Sequence, residues 1–127
     1  MAVFPTAKDI YIEVNGRRLA VAQSYRVRSS RDTRYIESFG SAAPVGTVAG
    51  RQRHVVELTR LYVTGEGYGD GVDFHALEDF NIVVVKPDRK VIFSGCQWSG
   101  VQERGEGDDP IAETLTAVAA NRMEVAI

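Results

Sequence analysis

The chain has 127 residues but only one cysteine, Cys96, and only two histidines, His54 and His75. A single thiol excludes an internal disulfide framework and any multi-cysteine zinc site. Two histidines set far apart in sequence argue against a histidine-rich metal centre. No apolar run approaches the ~20 residues of a membrane helix, so membrane insertion is not expected. The opening Met-Ala-Val-Phe-Pro-Thr-Ala-Lys-Asp-Ile lacks the charged-then-apolar pattern of a signal peptide. The content is globular in character, 44% apolar and 25% charged, and the length fits one domain over residues 1–127. The expectation is a soluble domain made in a reducing compartment.

The formal net charge of −2 conceals a polarity. Residues 1–64 hold 10 basic and 5 acidic groups, whereas residues 65–127 hold 5 basic and 12 acidic groups. Twelve of the 15 basic residues are arginine, and six of these fall between Arg17 and Arg34 with only Asp32 opposing them. Guanidinium groups form two-pronged bonds with carboxylates and phosphates. Three readings follow. Basic strands lie beside acidic loops inside one fold, or one copy's basic face meets the next copy's acidic face, or the basic half binds nucleic acid. The acidic half weighs against the third.

Along the chain, strand signals dominate. Ile10, Ile12 and Val14 alternate with Tyr11 and Glu13, then Asn15-Gly16 marks a type I′ hairpin turn. The return strand is expected to run through Leu19, Val21, Tyr25 and Val27 to about residue 28, with Gln23 on the apolar side and in need of a partner if buried. Residues 37–53 are rich in small residues, hold Gly40, Gly46, Gly50 and Pro44, and carry the apolar Phe39, Val45 and Val48. This stretch reads as an extended arm that packs against something outside its own domain; a mobile hairpin tip is the other reading. Residues 54–64 form a long strand whose apolar phase slips between Leu58 and Leu61, which a bulge or cover on both faces would explain. Phe74, Leu77 and Phe80 recur every third residue and suggest a short helix, with Asp70 as its cap and Asp73 in its first turn. Asn81–Val85 and Val91–Val101 are paired strands around a Pro87-Asp88 turn, bent at Gly95 and Gly100. Residues 103–110 form an acidic loop, and Ile111–Ile127 fits either a helix or a strand. The class is mainly β: a sandwich or small barrel with one short helix.

No catalytic constellation emerges, and an enzyme is not expected. The glycines at 65, 67, 69 and 71 lack the following βαβ unit and neutralising lysine of a phosphate loop. The acidic glycine loops lack the ligand spacing of a calcium hand. Cys96 lies in an apolar strand and reads as a structural thiol. Neither histidine has a partner visible in sequence. No cofactor is implied.

The order of features then becomes informative. Asn15-Gly16-Arg17-Arg18-Leu19-Ala20, the long loop, and Leu58-Thr59-Arg60-Leu61-Tyr62-Val63 come first. The Phe74–Phe80 segment, the Ile82–Val85 strand and Val91-Ile92-Phe93-Ser94-Gly95-Cys96 follow. Over roughly residues 9–125 this order resembles the small tail tube proteins of contractile phages and defective-prophage particles, which are related to the inner tubes of contractile injection systems.

The resemblance implies two packed antiparallel sheets flanked by one short α-helix, with residues 111–125 as strand. It implies a virion structural protein that self-assembles: homohexameric rings stacked head to tail into a tube, with arm 37–53 reaching the adjacent ring. A contractile sheath would enclose the tube, and DNA or a tape-measure protein would pass through a hydrophilic lumen. Assembly would take place in the bacterial cytoplasm and the product would be the tail of a phage or phage-like particle. A terminator or baseplate ring of the same fold, or a monomeric β-barrel binding module, are the alternatives. Candidate contacts between subunits are Arg26, Arg28, Tyr35, Ile36, Phe39, Val45, Val48, Arg51, Arg53, Asp108 and Asp109.

Overall fold

In the computed structural model, which describes residues 1–127, Asn15 and Gly16 take φ of 51° and 79°. Both central turn positions are therefore left-handed, as a two-residue type I′ hairpin requires. Strand β1 (Tyr11–Val14) pairs through this turn with β2 (Arg17–Arg18). The return strand stops there, well short of residue 28. Leu19 turns into the core, and the backbone N–H of Ala20 is captured by Asp70 Oδ2 at 3.2 Å. The chain then leaves β1 altogether and begins β3 (Ala22–Ile36), whose partner is β4 (Gly46–Leu61). Gln23 lies on the exposed side and needs no internal partner.

The remaining strands are β5 (Phe80–Val85), β6 (Arg89–Arg104), β7 (Ala112–Ala119) and β8 (Asn121–Ala126). Residues 111–125 are thus strand, in two pieces. All pairings are antiparallel, and the order is β2-β1-β5-β6-β7-β4-β3, with β8 also on β6. Two separate sheets were expected; the strands instead hydrogen-bond as one eight-stranded sheet. The reason is β6, whose first half pairs with β5 and β8 and whose second half pairs with β7. An extra residue is accommodated on β6 between Phe93 and Cys96, where Gly95 has φ of 63°. A second bulge lies at Ser99, beside Gly100. Bulges sharpen twist and bend a strand, so the sheet curls upon itself.

Both halves of the curled sheet face one core. Ile12, Val14, Val84 and Phe93 come from one half, and Val56, Leu58, Leu115 and Ala117 from the other, in a cluster of 16 buried residues. Phe74, Phe80 and Phe93 are its largest members. Each contributes on the order of 1.5–3 kcal/mol by burial. Cys96 is buried among them, and its thiol is pushed up to about 11 by desolvation.

The expected helix over Phe74–Phe80 does not form. Phe74–Ala76 make a single 3₁₀ turn, Leu77 is extended, Asp79 is left-handed and Phe80 already belongs to β5. A spacing of three matches the 3₁₀ period of 3.0 residues better than 3.6, and so short a segment cannot offset helix nucleation. The cap is Asp73, which accepts from the N–H of His75 at 3.1 Å, and not Asp70. The phase slip near Leu61 is met on the partner strand, where Gln23 bulges opposite Thr59 and Arg60.

Register also assigns faces in the four strands β3-β4-β7-β6. Tyr25, Leu58, Leu115 and Val101 stand in one cross-strand row and face the core. The neighbouring row, Arg26, Glu57, Thr116 and Gly100, faces away from it. Ser24, Thr59, Thr114 and Gln102 form a second outward row, in which the Thr59 and Thr114 hydroxyls bond at 3.0 Å.

The bend at β6 is testable. A Cβ at Gly95 would sit 3.0 Å from the Ala120 Cβ, in a left-handed conformation that branched residues resist. Gly95→Val is expected to lower stability by about 2 kcal/mol in urea unfolding, from backbone strain alone. Gly100→Ala, where a Cβ would meet nothing within 4 Å, should be far milder.

Candidate assembly interface

Strand pairing accounts for residues 22–36 and 46–61, but core packing does not. Strand β7 covers β4 only from His54 to Leu61. Beyond that, residues 29–53 form a two-stranded ribbon with no third strand, and every residue in it is exposed. The arm expected over 37–53 is therefore half strand: Gly46–Arg53 belong to β4, and only 37–45 form the tip. A bulge at Asp32 bends the ribbon, and Gly50 is required opposite it, since a Cβ there would lie 2.4 Å from the Asp32 carbonyl oxygen.

The candidate contact residues separate into three places. Tyr35, Ile36, Phe39, Val45 and Val48 are exposed on the ribbon, and Arg51 and Arg53 lie nearer its base. Arg26 and Arg28 lie on the outward face of the sheet, opposite Glu57 and Val55. Asp108 and Asp109 are exposed on the β6–β7 loop. That loop stands at the other end of β4, because Leu61 pairs with Ala112 and the Tyr62 N–H donates to the Ile111 carbonyl at 2.8 Å.

The charge polarity of the sequence thereby becomes spatial. Arg26, Arg28, Arg31, Arg34 and Arg51 have no carboxylate within ion-pair distance. Arg53 has only a 3.7 Å contact with Asp32, with both side chains largely in water, which is worth little. At the far end, Glu66, Glu103, Asp108 and Asp109 are likewise unpaired. These charges of the two halves stay unpaired within the fold, as does Glu37 at the ribbon tip.

One acid–base cluster is largely shielded from solvent, and sequence reading missed it. Arg60 Nη1 lies 3.1 Å from Asp70 Oδ1, and Arg60 Nη2 lies 3.3 Å from Glu113 Oε1. The three side chains are only 13%, 11% and 17% exposed. The guanidinium stacks on Phe74, 3.8 Å from the ring centroid. Asp70 also accepts from the N–H groups of Ala20 and Val72. This cluster ties the glycine-rich loop to β4 and β7 and floors a cleft of about 340 Å³ walled by Tyr62 and Tyr68. Arg60 and Glu113 are register partners across β4 and β7, a pairing invisible before the strands are aligned.

A second, exposed cluster holds β8. Arg89 donates to Asp88 and to Glu124, and Arg122 donates to Glu124. The hydrogen bond from Arg89 holds the Asp88 carboxyl below its ordinary value, and that from Arg122, then the charge of Arg89, does the same for Glu124. His54 is buried and shares a 2.7 Å hydrogen bond with Ser29 Oγ. His75 is exposed beside Asp73 and Trp98. No group of three or more His, Cys, Asp or Glu side chains converges in a metal-holding arrangement.

No protein-family model matches the sequence, and no curated protein does either. Solved structures match over nearly the whole chain. A chain from the sheath/tube terminator of the PVC extracellular contractile injection system, in its extended state, superposes with a TM-score of 0.72 at 12% identity, covering 99% of this chain and all of that one. A chain of the tube-terminating cap of the anti-feeding prophage gives 0.71 at 10% identity, over 100% of this chain and 95% of that one. A chain of the tail of an empty gene transfer agent particle, with C6 symmetry, gives 0.68 at 14%, over 98% and 99%. The chain has the fold of phage-like tail tube and terminator components. The resemblance drawn from the order of its motifs holds at the level of fold.

Two outcomes are expected. Arg60→Met should cost about 3 kcal/mol in denaturant unfolding, because it leaves Asp70 and Glu113 buried without their counter-charge. Asp88 and Glu124 titrate lower when folded than when unfolded, so their stabilisation is present above the ordinary carboxylate range and is lost as pH falls through the lowered values. Amide exchange in β8 should therefore rise relative to β7 between neutral pH and about pH 3.

Proposed function

We propose that this chain is a structural subunit of a phage or phage-like contractile tail, forming hexameric rings that stack head to tail into the inner tube. The observation that carries the reading is surface. The accessible area is 9282 Å², whereas a compact monomer of 13.9 kDa has about 6,700 Å². The difference resides in an uncovered ribbon and in exposed apolar side chains such as Tyr35, Phe39, Met123 and Val125. Only 18 residues are buried.

Ring formation has a donor and an acceptor edge. In the four-stranded half, β3 pairs only with β4, and β6 from Gln97 to Arg104 pairs only with β7. Joining the β3 edge of one copy to the β6 edge of the next removes both from water and repeats by rotation. The half then adopts the role implied by the family, two packed layers with one sheet continued around a channel. Its outward rows, with Ser24, Thr59, Thr114, Thr116 and Gln102 and the opposed Arg26 and Glu57, would line the lumen. Such a wall is polar, with Arg26 set opposite Glu57 and one further unpaired cation, Arg28, on the same face, and DNA or a tape-measure protein would pass along it. The opposite surface would face a sheath protein. The likeness to sheath–tube complexes and tails supports these partners and a location in a particle tail. Assembly in the bacterial cytoplasm and a purely structural role complete the proposal.

A second reading is favoured by the terminator and cap superpositions: a single ring that ends a tube. Negative-stain microscopy of concentrated purified protein separates the two. Uniform tubes support the first reading, isolated rings the second, and a monomer at millimolar concentration neither.

Deleting residues 41–49 should leave a folded protein, because that exposed segment supplies none of the 16 core residues, yet abolish stacking. Tubes in micrographs of the deletion would sink the proposal.

A further inference from the structure

One cross-strand row of the four-stranded half runs Val27, Val56, Ala117, Trp98, from the free edge of β3 to the free edge of β6. It faces the core, and its middle members, Val56 and Ala117, are fully buried. Its two ends are not: Val27 is 37% exposed and Trp98 39%. The neighbouring row repeats the pattern, with Leu58 and Leu115 buried between the half-buried Tyr25 and Val101. The rest of the curled sheet covers the middle of each row and leaves the ends open. Against Trp98 lies the exposed His75, edge-on, with 6.2 Å between ring centroids. An indole left half in water forfeits much of the burial that so large a ring can contribute.

At the β3 margin the opening is a cleft of about 420 Å³. Val27, Val84 and Phe93 line it, and Arg26, Lys86 and Arg122 are its charged residues. The lining is thus mixed, with apolar groups beside cations. Arg122 is engaged by Glu124, but Arg26 and Lys86 have no carboxylate within ion-pair distance. This mixture suits an indole, whose rings bury against the apolar groups and whose π face attracts the cations. The strands β3, β4, β7 and β6 alternate in direction, so the β6 edge of one copy meets the β3 edge of another antiparallel. Residues opposed across such a pair share a face, and the core-facing Trp98 of one copy then lies on the core side of the other.

We infer that Trp98 of one copy seats in the cleft beside Val27 of the adjacent copy in the same ring, so that each subunit's core row is completed by its neighbour. The inference rests on the edge-to-edge ring reading and adds to it the residue that closes each contact. The indole and the cleft lie at opposite ends of one row, so a copy cannot fill its own cleft. The contact uses different surfaces of the two copies and repeats by rotation until the ring closes.

Trp98 is the only tryptophan of the chain, so intrinsic indole fluorescence reports on this residue alone. The test follows emission and iodide quenching of the full chain over a dilution series, with mass measured in parallel by analytical ultracentrifugation. As monomer gives way to rings, emission should move to shorter wavelength and quenching should fall. Rings that keep the emission and quenching of the monomer overturn the inference and leave the ring reading intact. A monomer up to millimolar concentration overturns both. A second measurement locates the indole. A chain with Lys86→Cys and Trp98→Phe carries a nitroxide at position 86 and an affinity tag, and is mixed with the parent chain. Cys96 is buried with its thiol pushed up to about 11, so it stays unlabelled at neutral pH. In mixed rings recovered by the tag, the nitroxide should quench the Trp98 emission of the parent copies. Mixed rings with unquenched emission place the indole elsewhere and overturn the inference. Trp98→Ala should still unfold cooperatively as a monomer and raise the concentration needed for rings at least about tenfold. Rings of that variant at the parent concentration would also overturn the inference.

Discussion

Every backbone amide and carbonyl in a strand needs a partner, and in this molecule a long stretch of them has none. Strand β3 is fifteen residues long and is paired on one side only, and its distal half, with the matching half of β4, is packed on neither face. An isolated two-stranded ribbon is marginal in water. Its survival here depends on the anchored base, where His54, Val56 and Leu58 enter the core beside β7. The unpaired edge, the surface excess and the unneutralised charge are three views of one condition. The folded chain leaves a large part of its bonding capacity for identical copies.

Internal stability is concentrated where the ribbon is anchored. One curled sheet encloses one core because β6 bends at Gly95 and serves both halves. The Arg60 cluster then clamps the acidic glycine-rich loop against β4 and β7 at the end away from the tip. A buried cation shared by two carboxylates and an aromatic face adds little net stability over an apolar set, but it admits only one loop position. The cleft above the cluster is thus held in shape by polar contacts, and its lining mixes valines and tyrosines with charged side chains. The silent thiol is buried in the same core, and the buried His54 bonds the exposed Ser29 at its margin.

Local signals were read well wherever a short-range rule governed them. The Asn15-Gly16 turn, the Pro87-Asp88 turn, the paired apolar strands and the bend at Gly95 appear as their residue types require. Errors arose where two distant segments compete for one. The return strand after Gly16 looked continuous through Val27, because period two persists; Leu19 and the Asp70 carboxylate break it, and Asp70 lies fifty residues away. The Phe74–Phe80 spacing suggests a helix and folds as a single 3₁₀ turn, because a period of three in seven residues does not separate 3₁₀ from α.

Composition and local periodicity determined a mainly β, electrostatically lopsided chain with an apolar arm, because those properties are read from neighbouring residues and need no distant partner. Tertiary structure decided the rest. It set which strand β3 joins, that one sheet bends where two were expected, and that Arg60, Asp70 and Glu113 meet. Each of these depends on cross-strand register, and register is fixed by contacts between residues tens of positions apart, which no local pattern encodes.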